Sequence, residues 1–185
     1  MSNNSGNKLW SKALEIIPGG NGLLSKRPER YAKDIWPIYY SKAKGCHIWD
    51  LDNNLFIDMA QNGIGTTILG YSDDDVNQSV NNAISKGVNT TLNAPEEVEL
   101  AQKLLELNPT MGGVKFARGG GEAMTIAVRI ARAYSRKDKI LFSGYHGWSD
   151  WYLATNLSES SNLDNHLIPG LEPLGVPSGL QGTAV

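Results

Sequence analysis

The stretch "RGGGEAMTIAVRIARAY", Arg118 to Tyr134, sets three consecutive glycines against the start of an uninterrupted helical pattern. Each glycine gives up more backbone freedom on folding than any other residue, so a run of three needs a reason. On its N-terminal side "GVKFA" (Gly113–Ala117) reads as a short strand, and on its C-terminal side "DKILFSG" (Asp138–Gly144) reads as another. Between them Ala123, Ile126, Ala127, Ile130, Ala131 and Tyr134 recur at helical spacing and form the face expected to be buried. Strand, turn, helix, strand at this spacing predicts a βαβ unit, a parallel pair with a right-handed crossover. The predicted class is α/β.

In an open parallel sheet, ligands sit outside the carboxyl ends of the strands. The turn at Gly119–Gly121 lies there, and the first amides of the helix after it have no intrahelical partner. Such a terminus attracts anions, and glycine lets a phosphate approach the backbone with no Cβ in the way. The competing reading is a tight turn that uses positive φ angles and binds nothing, for which one glycine suffices. The run lacks the lysine and hydroxyl pair of the Walker pattern and the spaced glycines of the dinucleotide fingerprint. The second strand leads into "SGYHGWSDWY" (Ser143–Tyr152), so Tyr145 and His146 are expected at the same sheet edge as the turn. An aromatic face beside a phosphate cradle suits a flat, phosphorylated heteroaromatic ring. The alternative is a packing cluster of Tyr145, Trp148 and Trp151 with His146 as a core histidine.

Outward from this centre the patterns are simpler. Trp10–Ile17 is expected to be a short helix, with Leu9, Ala13, Leu14 and Ile17 on one face, after a frayed polar opening "SNNSGN" (Ser2–Asn7). "PGGNG" at Pro18–Gly22 stops it, and the charged, proline-containing run to Trp36 looks irregular. "IYYSKA", "CHIWDL" and "LFIDMA" predict a three-strand meander over Ile38–Met59, and "QNGIGTTILGY" (Gln61–Tyr71) an ordered loop. A helix opening at Ser72 with three aspartates carries Val76, Val80, Ala83 and Ile84 and closes at Gly87. Another starts near Pro95, with Val98, Ala101, Leu104 and Leu105 facing inward.

The chain has 185 residues, 41% hydrophobic and 19% charged, which is ordinary for a globular protein with a sizeable core. A net charge of −2 points to neither nucleic acid nor an anionic membrane as partner. The single cysteine, Cys46, excludes an intrachain disulfide and a cysteine-rich metal site, and no metal ligands are assigned. The opening has no basic segment followed by an apolar core, and no stretch has the apolar length of a membrane span, so a cytoplasmic protein is expected.

The run "GGVKFARGGGEAMTIAVRIARAYSRKDKILFSGYHGWSD" resembles the class III aminotransferases, pyridoxal-phosphate enzymes, and above all their glutamate-1-semialdehyde aminomutase-like branch. "IPGG", "KAKGCHIWDLDNNLFIDMAQNGIGTTILGY" and "APEEVELAQKLLELNP" follow the same order, so the likeness extends from about Leu9 to the last residue. It implies the fold-type-I architecture: a small-domain meander in residues 1–60, then part of a large, mostly parallel cofactor-binding domain with flanking helices in 61–185. It also implies pyridoxal 5′-phosphate as cofactor, an amino donor and a carbonyl acceptor as substrates, and a homodimer or completion by a second chain. The family's Ser-Gly-Thr-Glu-Ala turn falls on Gly119–Ala123. Gly120 and Gly121 would hold the cofactor phosphate through backbone amides, with glycine replacing the usual hydroxyl residue at 121. Tyr145 would stack on the pyridine ring, with His146 and Glu122 close by.

Two departures qualify the resemblance. Near "NGLLSKRPER" (Asn21–Arg30) neither Lys26 nor Arg27 matches securely the arginine with which the aminomutase holds a substrate carboxylate, so a different aminotransferase is expected. "DWYLATNL" and the stretch after it resemble carbohydrate-modifying aminotransferases. The second departure concerns chemistry. The family's Schiff-base lysine and the acid that keeps the pyridine nitrogen protonated fall after the last motif present, and no lysine from Lys8 to Lys139 occupies that place. No catalytic residue is therefore assigned, and the chain reads as the N-terminal part of an aminotransferase, inactive alone. The rival readings are a truncated paralogue acting as a binding or interaction module, and an unrelated phosphate-binding α/β domain.

Overall fold

A computed structural model describes residues 4–32, 35–60, 63, 65–159, 162–164 and 172–185. Parts of the expected loop at 61–71 and of the stretch after 159 therefore lie outside the described residues, as do residues 2–3 of the polar opening. The chain divides into two compact units, Met1–Leu92 and Asn93–Val185.

In the first unit, helix α1 spans Ser5–Ile16 and begins earlier than expected. Asn4 caps it by accepting from the Asn7 amide at 2.8 Å, and both the amide and the hydroxyl of Ser5 donate to Asp52. These bonds satisfy free amides of the first turn, which is why Ser5–Asn7 are helical rather than frayed. Of the expected stripe only Ala13 is buried, together with Trp10. Trp10 fits because Gly20, at φ +79°, has no Cβ where the indole ring lies.

The meander forms as expected. Strands β1 (Tyr40–Lys44), β2 (His47–Asp50) and β3 (Leu55–Ile57) make one antiparallel sheet in the order β1-β2-β3. Register pairs Ala43 with Ile48 and Ile48 with Phe56. At the turn into β3, Asp50 accepts from the amides of Asp52 and Asn54 and from the Asn54 side chain. Desolvation pushes the Asp50 carboxyl up, but these three bonds favour its charged form and together hold it below its ordinary value. Gly45 and Tyr71 exchange two backbone hydrogen bonds of 2.8 Å. The two segments approach so closely that a Cβ on Gly70 would stand 3.0 Å from the Gly45 Cα. The Tyr71 hydroxyl closes the same junction by donating to Asp58 at 2.5 Å. Helix α2 then spans Asp74–Lys86, capped by Asp73 rather than by Ser72, which sits in the left-handed region at φ 55°. Gly87 ends it at φ 98°, as expected.

In the second unit, α3 (Pro95–Leu107) and α4 (Gly120–Ser135) are followed by a single-turn α5 (Asp150–Leu153). The expected strand Gly113–Ala117 forms no regular element, and no backbone ladder joins it to another strand among the described residues. The second expected strand does find a parallel partner. Ile140 bridges Ala184, with bonds of 2.9–3.0 Å linking Ile140 and Phe142 to Thr183 and Val185. Extended backbone becomes a strand only through a partner, and a sequence window does not name that partner.

The face of α4 that packs is also not the expected one. Val128 is buried, and Met124 packs beside it against Trp151, Tyr152, Leu163 and Ala184. Ile130 and Tyr134 are exposed, Tyr134 by 92%. The packed side is fixed by Arg132, whose guanidinium donates to the carbonyls of Asp138 and Thr183. Of the expected inward residues of α2 only Ala83 is half-buried, whereas on α3 the expected Ala101, Leu104 and Leu105 are the half-buried side and only Val98 is exposed.

The Tyr71–Asp58 bond yields a pH prediction. That hydrogen bond, with desolvation and the aspartate charge behind it, raises the Tyr71 phenol to about 12. Its unfolded value is about 10, so the folded chain binds the proton more tightly between those values. This contribution to stability is complete below pH ~10 and disappears as the pH rises toward ~12. Alkaline unfolding monitored by phenolate absorbance should show this, and Tyr71→Phe should remove the latest-forming phenolate and flatten the stability profile over that window.

Candidate functional site

Helix α4 starts at Gly120, with Gly119 as N-cap in extended backbone at φ −162°. None of the three glycines is left-handed, so positive φ does not explain the run. A Cβ built on Gly119 or Gly120 meets no atom within 4 Å, so both Cα atoms face open space. With no side chain, Gly119 gives the helix no side-chain cap, and the first helical bond runs from the Ala123 amide to the Gly119 carbonyl at 3.0 Å. The amides of Gly120, Gly121 and Glu122 thus have no backbone acceptor among the described residues. They sit at the positive end of a sixteen-residue helix dipole.

These amides border an open cavity of about 640 Å³. Gly120, Gly121, Glu122, Tyr145 and His146 all line it, so the structure brings together every candidate residue of the sequence analysis. Met124, Gly147, Trp148 and Ser149 complete the wall.

The aromatic side of the cavity is the loop from Ser143 to Ser149. It reaches the helix because Gly147, at φ +96°, presses its bare Cα toward Gly121; a Cβ there would lie 3.0 Å from the Gly121 Cα. A Cβ on Gly121 would instead meet the Gly147 Cα at an ordinary 3.9 Å. Tyr145 is 53% exposed and touches Tyr152 edge to face, with ring centroids 6.0 Å apart. That leaves a broad aromatic surface beside the free amides.

His146 and Glu122 have defined structural duties. The imidazole packs among Phe142, Trp151 and Tyr152 at centroid distances of 5.7–6.2 Å. Its Nε2 lies 2.8 Å from the Ser143 carbonyl, which can only accept, so Nε2 carries a proton. Glu122 accepts from the Arg118 amide at 2.7 Å and thereby ties down the turn that leads into the helix. Beneath the loop Tyr152 is fully buried, and desolvation, aided by the nearby Tyr145, raises its phenol above the ordinary value.

Sequence reasoning missed Thr125. Its hydroxyl contacts the Gly121 carbonyl, Ser149 and the Trp151 indole, joining the helix to the loop. A threonine within an otherwise apolar helical run was the available signal, since such hydroxyls bond back to the preceding turn.

Donors without acceptors, a positive helix end and a Cα face open to approach fit a phosphate, and the aromatic surface beside them fits a planar ring. Among the described residues there is no group of three or more histidines, cysteines and carboxylates that could hold a metal, and no helix is long and apolar enough to cross a membrane.

The family model described as aminotransferase class III matches residues 30–177. The chain belongs to the class III aminotransferases. It is 36% identical over 144 residues to the 3-aminobutyryl-CoA aminotransferase of Cloacimonas acidaminovorans, covering 77% of this chain and 34% of that one. It is 36% identical over 168 residues to the glutamate-1-semialdehyde 2,1-aminomutase of Francisella philomiragia, covering 88% and 38% respectively. This class III chain thus spans little more than a third of the length of these curated relatives. The omega-transaminase of Sphaerobacter thermophilus superimposes on all of it with a TM-score of 0.80 at 26% identity, over 41% of that structure. A transaminase solved with PLP bound gives 0.78 at 30% identity, over 97% of this chain and 40% of the other. The fold-type-I architecture expected from the sequence is therefore the fold of this class III chain.

The two glycines at the loop contact should respond differently to a methyl group. Gly147→Ala places a side chain at positive φ and 3.0 Å from backbone, and should cost on the order of 1–3 kcal/mol, read as a lower denaturation midpoint. Gly121→Ala meets only ordinary contact and gains helix propensity, so its midpoint should hold or rise.

Proposed function

We propose that this chain is the cofactor-holding part of a pyridoxal-phosphate aminotransferase, with the amides of Gly120 and Gly121 as the phosphate cradle. The observation that carries the reading is the set of free amides at the start of α4, opening on a cavity that Tyr145 also lines. When bound there, pyridoxal phosphate supplies an electron sink for moving an amino group between an amino donor and a carbonyl acceptor. The protein's share is placement. The helix terminus fixes the phosphate, Tyr145 covers the ring, and the loop that carries Tyr145 screens one side of the cavity from water. In this reading His146 and Glu122 serve the cofactor by holding that loop and that turn in shape.

Further parts of the proposal rest on the resemblance and the family. The small-domain segment is residues 1–60, and residues 61–185 belong to the large cofactor-binding domain. The assembled enzyme is a cytoplasmic homodimer, or the chain is completed by a second one, and its acceptor is carbohydrate-related. Among the described residues no lysine lines the cavity, and the proposed chain alone binds cofactor without turning over. The same observation supports the second reading, a catalytically inactive paralogue that acts as a binding module.

Titration of the purified chain with pyridoxal phosphate tests the proposal. Saturable binding in competition with inorganic phosphate is expected, with no stoichiometric adduct trapped by borohydride. Gly120→Ala is the decisive variant, because in the free fold its methyl group meets nothing and replaces a helical glycine. It should leave stability equal or raise it by about 0.5–1 kcal/mol, yet weaken pyridoxal-phosphate binding at least tenfold, about 1.4 kcal/mol. Unchanged affinity in a folded Gly120→Ala chain would sink the cradle.

A further inference from the structure

Thr125 stands one turn into α4, and its hydroxyl meets three groups. It lies 2.9 Å from the Gly121 carbonyl, 2.7 Å from Ser149 Oγ and 3.3 Å from Trp151 Nε1. A hydroxyl has one proton and two lone pairs; a carbonyl only accepts and an indole N–H only donates. One proton arrangement makes all three contacts hydrogen bonds. Thr125 donates to the Gly121 carbonyl and accepts from both Trp151 and Ser149, so its capacity is filled.

This arrangement engages Ser149 as well. Ser149 precedes α5 at the N-cap position, where a serine hydroxyl ordinarily accepts from an amide of the first turn, yet its side chain makes no such bond. Its proton goes to Thr125 instead. The loop carrying Tyr145 is consequently held at two points on its C-terminal side: at Gly147 by the close approach to Gly121, and at Ser149 and the following Trp151 by Thr125.

We infer that Thr125 is a positioning residue, which fixes the loop bearing Tyr145 over the first turn of α4 through its hydrogen bonds to Ser149 and Trp151. The consequence for ligands rests on the cofactor reading above. A phosphate ion uses only the amides of α4, whereas a phosphorylated ring also needs Tyr145 in place. Thr125 therefore governs the affinity for the ring and not for the phosphate.

Thr125→Val keeps the shape and removes all three bonds; Thr125→Ser keeps the hydroxyl. Hydrogen exchange on the full chain is the first readout. In T125V the amides of residues 144–149 should exchange on the order of tenfold faster, with those of 126–135 unchanged, and T125S should restore the original rates. No change in the loop, or an equal rise in both segments, would overturn the inference. If the unpaired indole prevents T125V from folding, Ser149→Ala removes one bond and should give a smaller acceleration confined to the loop; none would overturn it too. Titration is the second readout. T125V should weaken pyridoxal phosphate by at least fivefold relative to inorganic phosphate, and equal weakening of the two contradicts the role assigned to Thr125. A wild-type chain that binds no pyridoxal phosphate, yet shows the loop-confined exchange, defeats the cofactor reading and leaves the positioning role standing.

Discussion

The second unit depends on how closely two pieces of bare backbone approach each other. Gly147 can stand against Gly121 only because it carries no side chain of its own there, and it must also adopt a φ of +96° to do so. That contact brings the aromatic loop to the start of α4. Without it, the free amides and the Tyr145 ring would be separate surface features. With it, they border one cavity, and the glycine run acquires a chemical meaning that its backbone angles alone do not give.

Around this contact, side chains that look like candidate chemistry spend most of their bonding capacity on architecture. Glu122 secures the Arg118 amide, and His146 secures the Ser143 carbonyl within an aromatic cluster. Thr125 fills all its hydrogen-bonding positions between helix and loop. The amides of Gly120, Gly121 and Glu122 remain without a backbone acceptor among the described residues. That division suits a site that holds a ligand by its charge and its flat face.

Much of this was legible in the sequence, for identifiable reasons. Helix positions came from periodicity and caps: Gly87 and Pro95 act as expected, and the meander follows its alternating strands and turns. The five candidate residues share one cavity because the glycine run and the "YHG" turn each mark a backbone that must come close to something. Packing direction was not legible. Met124 and Val128 pack while Ile130 and Tyr134 do not, because α4 carries apolar residues on more than one side and the Arg132 bonds choose between them. Strand partners were hidden for a related reason. Nothing in "DKILFSG" says that Ile140 bridges Ala184, since that choice is made by residues more than forty positions away.

The glycines of the site also differ in what they would reveal over evolutionary time. The fold itself forbids drift at Gly147, so an invariant glycine there would say nothing about ligands. At Gly119 and Gly120 the chain has room for a methyl group, and the folded backbone sets no barrier to replacement. Any restriction on those two positions among descendants of this sequence would be the imprint of something other than folding, recorded in a place where folding leaves the choice open.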